Sequence, residues 1–478
     1  MRIPIIAKYF GAASLSVVIG LVAWQNLPGK GNANAARVSD ETSAEEQQPV
    51  SEDQQAFETL LSSRNPSAIL EAGDHIRRNW EPAFVPLSLE VANFSRSLLS
   101  RETSFSILRE KTGEDFGQDV SDWYFWFWNQ PEAKTPFYAD FKADLYRTID
   151  RKFETYFKGR QKKTKIRFDE IRWGGVLQDG IPPLRNPEMI SPRKATYLDD
   201  DNIVFGIEVN GDARAYPKRI LAWHEMFVDT VGDTNVAGVY CTLCGTVVLY
   251  KTDHKGVSHR LGTSGFLYRS NKLMYDQETQ SLWNTLTGEP VVGPLIDKGI
   301  ALEHMSVVTT TWGEWKRRHP KTKVLSLRTG HRRNYGEGVA YQDYFATDRL
   351  MFNTPFNDER LQNKQEVLAL RFAGAPKDQL AIDTAFLDQN PIYTDQVGIQ
   401  DVLVLTDKTG ANRVYAPEGK VFASYDRNDV LIDDKGAEWQ LTEQALIGPS
   451  GQRLERLPYH RAFWFGWRAA FPQTRLVK

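Results

Sequence analysis

The stretch TWGEWKRRHPKTKVLSL, Thr311 to Leu327, returns at the end of the chain as FWFGWRAAFPQTRLVK, Phe463 to Lys478. Trp312, Trp315, Pro320 and Thr322 fall on Trp464, Trp467, Pro472 and Thr474 at one constant offset. Two further matches precede these in the same order. LWNTLTGEPVVGP (Leu282 to Pro294) resembles EWQLTEQALIGP (Glu438 to Pro449), and IVFGIEVNG (Ile203 to Gly211) corresponds to EVLALRFAG (Glu366 to Gly374). Ordered matches of this kind mark a repeated unit. They predict that residues 166–330 and 331–478 are two diverged copies of one β-rich unit. What both copies keep, the fold needs; what one copy lacks, the fold does not.

Within the first copy, β-branched or alternating runs such as NIVFGIEVNGDARAYP and NVAGVYCTLCGTVVLYKT are broken by Asn-Gly and Gly turns. They read as strands, with short helices between them at KRILAWHEMFVD and TTTWGEWKRRHP. Residues 56–165 have another texture. AFETLLSS, PSAILEAGDHIRRNW, PLSLEVANFSRSLLS and DFKADLYRTIDRKFETYF carry apolar residues at helical spacing between Pro and Gly breaks. The expected fold class is therefore α+β, a helical layer followed by the duplicated strand-rich region. The aromatic run DWYFWFWNQ (Asp122 to Gln130) is expected in the core of that layer, because aromatic rings carry large burial energies.

The repeat bears directly on the only two cysteines in 478 residues, Cys241 and Cys244. Where the first copy has VYCTLCGTVVLY, the second has IQDVLVLTDKTG, and WHEM (Trp223 to Met226) also lacks a counterpart. The cysteines are thus local to the first copy. A thioredoxin-type pair sits on the first turn of a helix, where the macrodipole lowers a thiol pKa. Here strand-like residues flank the pair, and Gly245 follows it. Strand, Cys-x-x-Cys-Gly, strand is the shape of a metal knuckle that aims two sulfurs at one point. Three readings stay open: half of a metal site, a redox pair, or a local disulfide. Closing so short a loop contributes only about 2 kcal/mol, against roughly 3 for a fifteen-residue loop, which makes global stabilisation a weak reason for the pair.

For a metal, Cys241 and Cys244 would be joined by His224, and a zinc, copper or iron ion would suit the set. Glu225 adds a carboxylate beside His224. The polar run GTSGFLYRSNKLMYDQETQSLW (Gly262 to Trp283) offers Ser264, Asn271, Met274 and Asp276 as further lining. A lone histidine on an amphipathic helix is more often a hydrogen-bonded residue than a ligand, and a methionine more often fills a gap. A hydrolase using His224 and Glu225 finds no support in a nucleophile elbow, a His-Glu-x-x-His spacing or a phosphate-binding glycine loop.

Partner class follows from charge. With 59 basic and 61 acidic side chains the net charge is −2, so no electrostatic footprint for nucleic acid is present. At the start of the chain, Arg2 and Lys8 precede the apolar run Tyr9 to Trp24, and Ala33-Asn34-Ala35 offers a small-x-small site. Residues 1–37 are expected to be a signal peptide or an uncleaved membrane anchor. The protein is then exported, periplasmic or held at the cytoplasmic membrane facing the periplasm, where disulfides are favoured. Residues 38–55, acidic and rich in Ser and Gln, read as a disordered tether.

WGGVLQDGIPPL, DARAYPKRILAWHEM, YCTLCGT, SGFLYRSNKLMYD, SLWNTLTGEPVVG and TTWGEWKRRHPKTKVLSL together resemble the bacterial family called domain of unknown function 3179. The resemblance runs from about Arg172 to Leu327, and AFWFGWRAAFPQTRLV is similar too. It implies an exported or membrane-associated protein with a Cys-x-x-Cys turn, and it brings no established activity with it. The expected function is an envelope protein with a metal or redox centre in its first copy. The alternative is a non-catalytic binding or scaffold module for an envelope protein or glycan, with an inert disulfide.

Overall fold

The computed structural model describes residues 50–478. The expected targeting segment and the tether up to Pro49 lie outside the described residues. Among these, no helix is long and apolar enough to cross a membrane.

Six helices open the described chain: Glu52–Ser62, Pro66–Arg78, Phe84–Phe94, Leu98–Thr112, Val120–Trp128 and Tyr138–Arg147. The first begins inside the expected tether because the Ser51 hydroxyl accepts the Gln54 N–H at 3.1 Å and caps it. Asn65, Ser97 and Asp119 cap the second, fourth and fifth in the same way. In the aromatic run, Trp123, Tyr124, Phe127 and Trp128 are buried while Phe125 stays 39% exposed. The run is therefore core. A fully buried Lys142–Glu90 ion pair lies between Tyr138 and Tyr146 in the same layer. The layer's apolar face continues into the first β-rich unit, where Phe266 meets Tyr146 and Phe153 edge-on at 4.9 and 4.7 Å.

The strand-rich region carries the same connectivity twice. Ile203–Val209 pairs antiparallel with Val308–Thr311 and with Asp212–Pro217, and Asp212–Pro217 pairs parallel with Lys323–Leu325. In the second unit Glu366–Arg371 pairs antiparallel with His460–Phe463 and Gln379–Asp383, and Gln379–Asp383 pairs parallel with Arg475–Val477. Each unit then runs through a short helix (Lys218–His224, Thr384–Gln389) into a three-stranded antiparallel meander. The matched tryptophans have one job in both. Trp315 donates its indole N–H to Thr322 Oγ1 and Trp467 to Thr474 Oγ1, each at 2.9 Å. Both rings are wholly buried, so burial energy and a satisfied donor fix that helix on its sheet. His319 and Phe471 fill one position too, their rings tilted against these tryptophans at 4.2 and 4.4 Å between centroids.

Candidate functional site around the cysteine turn

Strands Thr234–Cys241 and Thr246–Lys251 form a hairpin whose last rung is Cys241 opposite Thr246. Cys241 and Cys244 are joined by a disulfide across the turn, with Cα atoms 5.5 Å apart. Gly245, at φ +59°, turns the chain back, and a Cβ there would stand 2.7 Å from the Phe463 ring. The turn is covered. Cys241 is 3% exposed and Cys244 not at all, beneath Phe345, Leu350, Phe463 and Phe465. Phe463 donates its N–H to the Cys244 carbonyl at 2.8 Å, and the Tyr344 hydroxyl donates to the Leu243 carbonyl at 2.7 Å. The second unit is thus seated on the cysteine turn of the first. Gly466 lies so close that a Cβ there would be 2.8 Å from the Cys244 Cβ.

The expected lining residues are drawn into separate tasks. Among the described residues no three His, Cys, Asp or Glu side chains are placed to hold a metal ion. Glu225, buried at φ +55°, forms an ion pair with Lys272 at 3.1 Å. Asn271 donates its Nδ2 to the Gly466 carbonyl at 2.9 Å, tying the second unit down beside the turn. Ser264 donates to the Leu273 carbonyl at 2.6 Å and accepts the Phe266 N–H at 3.0 Å, which closes the bulge between Thr263 and Leu267. Met274 is fully buried among Met226 and Trp283, a gap filler. Asp276 accepts from the Glu278 and Thr279 N–H groups at 3.1 and 2.8 Å and faces His259 at 3.3 Å. Burial pushes its carboxyl up, but the His259 and Thr279 bonds outweigh this and hold it below the usual range.

His224 stands at the end of its helix in a directional chain of hydrogen bonds. Its Nδ1 lies 2.8 Å from the Pro182 carbonyl, which can only accept, so Nδ1 carries the proton. Nε2 then accepts from the Tyr335 hydroxyl at 2.6 Å, and the Tyr335 oxygen accepts from Thr329 Oγ1 at 2.7 Å. Tyr335, with Arg219, His331, Arg332 and Arg333, lines an open basic cavity of about 720 Å³. Burial pushes the imidazole pKa down to about 4, with His331 and Arg333 adding to the shift. The unfolded chain takes up this proton near 6.5 and the folded one only near 4, so stability present above 6.5 is lost as pH falls through about 4. In thermal melts, His224→Gln should therefore flatten the fall in midpoint between pH 6.5 and 4. An unchanged slope would assign the acid sensitivity to other buried histidines, His304 and His460.

Sequence reasoning missed Tyr335, Lys272 and Tyr344. TGHRRNYG (Thr329 to Gly336) does carry a signal, two arginines and a histidine beside a tyrosine, at the expected seam between the two copies. Lys272 sits next to Asn271 in the polar run Gly262 to Trp283, which offers Ser264, Asn271, Met274 and Asp276 as lining in sequence.

The second unit shows what occupies the equivalent turn. Counted from the two-residue turns at Gly232-Asp233 and Gly398-Ile399, Asp407 takes the place of Cys241. Its Oδ1 accepts from the Thr409 N–H at 2.9 Å, the Thr409 hydroxyl at 2.7 Å and the Ala411 N–H at 3.1 Å. Its Oδ2 meets Arg413 Nη1 at 2.9 Å. One unit closes this turn with a disulfide and the other with a carboxylate.

No curated protein and no solved structure matches the chain. Residues 178–474 match the model of the family described as "Protein of unknown function (DUF3179)", and as this span covers more than half of the 478 residues, the chain belongs to that family.

Proposed function

We propose that this protein is exported to the cell envelope and works there as a binding module, with Cys241–Cys244 as a closed structural turn. The supporting observation is the exchange of Cys241 for Asp407 at one turn of a duplicated fold, each wrapped in its own stabilising contacts. Burial argues the same way. Thiol–disulfide exchange needs a thiolate to reach a sulfur, and Cys244 is wholly covered. The partner carries acidic groups, because the cavity beside His224 presents Arg332, Arg333 and His331 at the surface. An acidic envelope glycan fits an open, solvated cleft of this kind, in which long-range attraction falls off with salt.

Binding to polygalacturonate, a carboxylated polysaccharide, tests both halves of this reading. The parent should bind with an affinity that drops as salt rises. Cys241→Ser/Cys244→Ser, if folded, should bind equally well. Arg332→Gln/Arg333→Gln should lose roughly tenfold, since exposed charge contacts contribute up to about 1 kcal/mol each. Loss of binding in the folded serine variant, or no binding by the parent, would return the disulfide to the centre of the function.

A further inference from the structure

A small, partly open cavity of about 70 Å³ lies beside the cysteine turn, where the two units meet. A single buried water requires only about 10–15 Å³, so the space is large for one solvent molecule. Lys218, Tyr240, Gly245 and Thr309 come from the first unit and Glu366, Arg461 and Phe463 from the second.

Two groups in this cavity have unmet bonding capacity. Tyr240 is 2% exposed, yet its hydroxyl has no hydrogen-bond partner among the described residues. A buried hydroxyl left this way is costly, and native folds rarely keep one without a reason. Lys218 makes no ion pair or hydrogen bond among the described residues; its ammonium stands 5.4 Å from the centre of the Phe345 ring. The other charges are already matched. Arg461 holds Glu366 at 3.2 Å and also donates to Asn412 Oδ1 at 2.8 Å. Lys218 is left as the uncompensated charge, a single positive one.

The duplicated fold supplies an internal comparison. At the places of Lys218 and Tyr240 the second unit has Thr384 and Thr406. Thr384 donates to the Glu366 carbonyl at 3.1 Å, and Thr406 accepts from Asn412 Nδ2 at 3.0 Å. The shared fold therefore stands with short, satisfied hydroxyls there. The longer, unsatisfied pair belongs to the unit that carries the disulfide.

We propose that this cavity binds a small monoanion of carboxylate size, with Lys218 Nζ as its counter-charge and Tyr240 Oη as a hydrogen-bond donor. Thr309 offers a third polar group on the same wall. The apolar remainder, Ile203, Phe205 and Phe463, suits a short carbon stub better than a fully hydrated ion. This site is distinct from the open basic cleft beside His224.

Thermal melting of the full chain in sodium acetate against sodium chloride at equal ionic strength tests the proposal. Acetate should raise the midpoint saturably, as any ligand selective for the folded state does. The shift should fall by at least half in Tyr240→Phe and in Lys218→Met. It should persist in Arg332→Gln/Arg333→Gln, which separates this site from the basic cleft. In chloride, Tyr240→Phe should melt no lower than the parent, because the substitution removes only the orphaned hydroxyl. No acetate-specific shift in the parent, an undiminished shift in Lys218→Met, or a shift lost in the arginine variant would each overturn the assignment. So would a Tyr240→Phe protein that melts lower in chloride.

Discussion

Lys272→Met should cost the fold about 3–5 kcal/mol, read from urea denaturation, because it strands a buried charge. Lys272 Nζ stands 3.1 Å from Glu225 Oε2, with side-chain exposures of 5% and 9%. Burial lowers the lysine pKa, and the Glu225 charge and its hydrogen bond oppose that shift. Methionine keeps the stem and most of the volume, so packing changes little and the loss reports the stranded carboxylate. The site is a junction: Glu225 donates its N–H to the Leu221 carbonyl at 2.7 Å and accepts the Tyr240 N–H at 2.9 Å. It ends the helix that carries His224 and starts the strand that leads toward the cysteines. The double variant Glu225→Gln/Lys272→Met should recover most of the loss, to within about 1.5 kcal/mol of the parent, since removing both charges of a buried pair is far milder than removing one. A single variant that loses less than about 1 kcal/mol would mean that water reaches the carboxylate.

The pair also shows where sequence reading stops. The duplication was legible because Trp315 and Trp467 must each reach a threonine seven residues on, a local geometry that survives divergence as spacing. The helical layer was legible for a similar reason: apolar spacing and caps are properties of neighbours along the chain. The surroundings of the cysteines are set by contacts that span the fold. Phe463 reaches Cys244, Tyr344 reaches Leu243, and Asn271 reaches Gly466, each from a distant part of the sequence. Glu225 stands beside His224 in the sequence and reads there as its companion. Yet its positive φ turns it to Lys272, while the histidine faces Tyr335. Of the expected metal set, Cys241 and Cys244 are joined to each other, and His224 is held between the Pro182 carbonyl and the Tyr335 hydroxyl, contacts likewise distant along the chain. The absence of cysteines from the second copy marks them as local to the first, and at the equivalent turn the second copy holds Asp407 in hydrogen bonds to Thr409 and Ala411.

Asp407→Ala measures that other chemistry. The substitution removes three accepted hydrogen bonds from the turn Asp407 to Ala411 and takes one of the two carboxylates from Arg413, whose guanidinium is 1% exposed. Glu443 remains 2.7 Å from Arg413, but it also serves Arg456 at 3.1 Å, so two buried cations would share one carboxylate. Breaking a buried pair costs about 3–5 kcal/mol, and the freed turn N–H groups add to it where water cannot reach them. Asp407→Asn should lose less, because the amide oxygen can still accept from the Thr409 and Ala411 N–H groups while the charge is gone. The disulfide sets the scale. Opening Cys241–Cys244 in a serine double variant should cost about 2 kcal/mol on loop closure alone, less than the alanine at the equivalent turn. If the serine variant proves the more damaging by several kcal/mol, the disulfide does more than shape a turn, and the seating of Phe463 and Gly466 upon it is where the difference would lie. If Asp407→Ala is the more damaging, the two copies have solved one problem with a covalent bond and with a buried carboxylate, and the carboxylate is the stronger fastening.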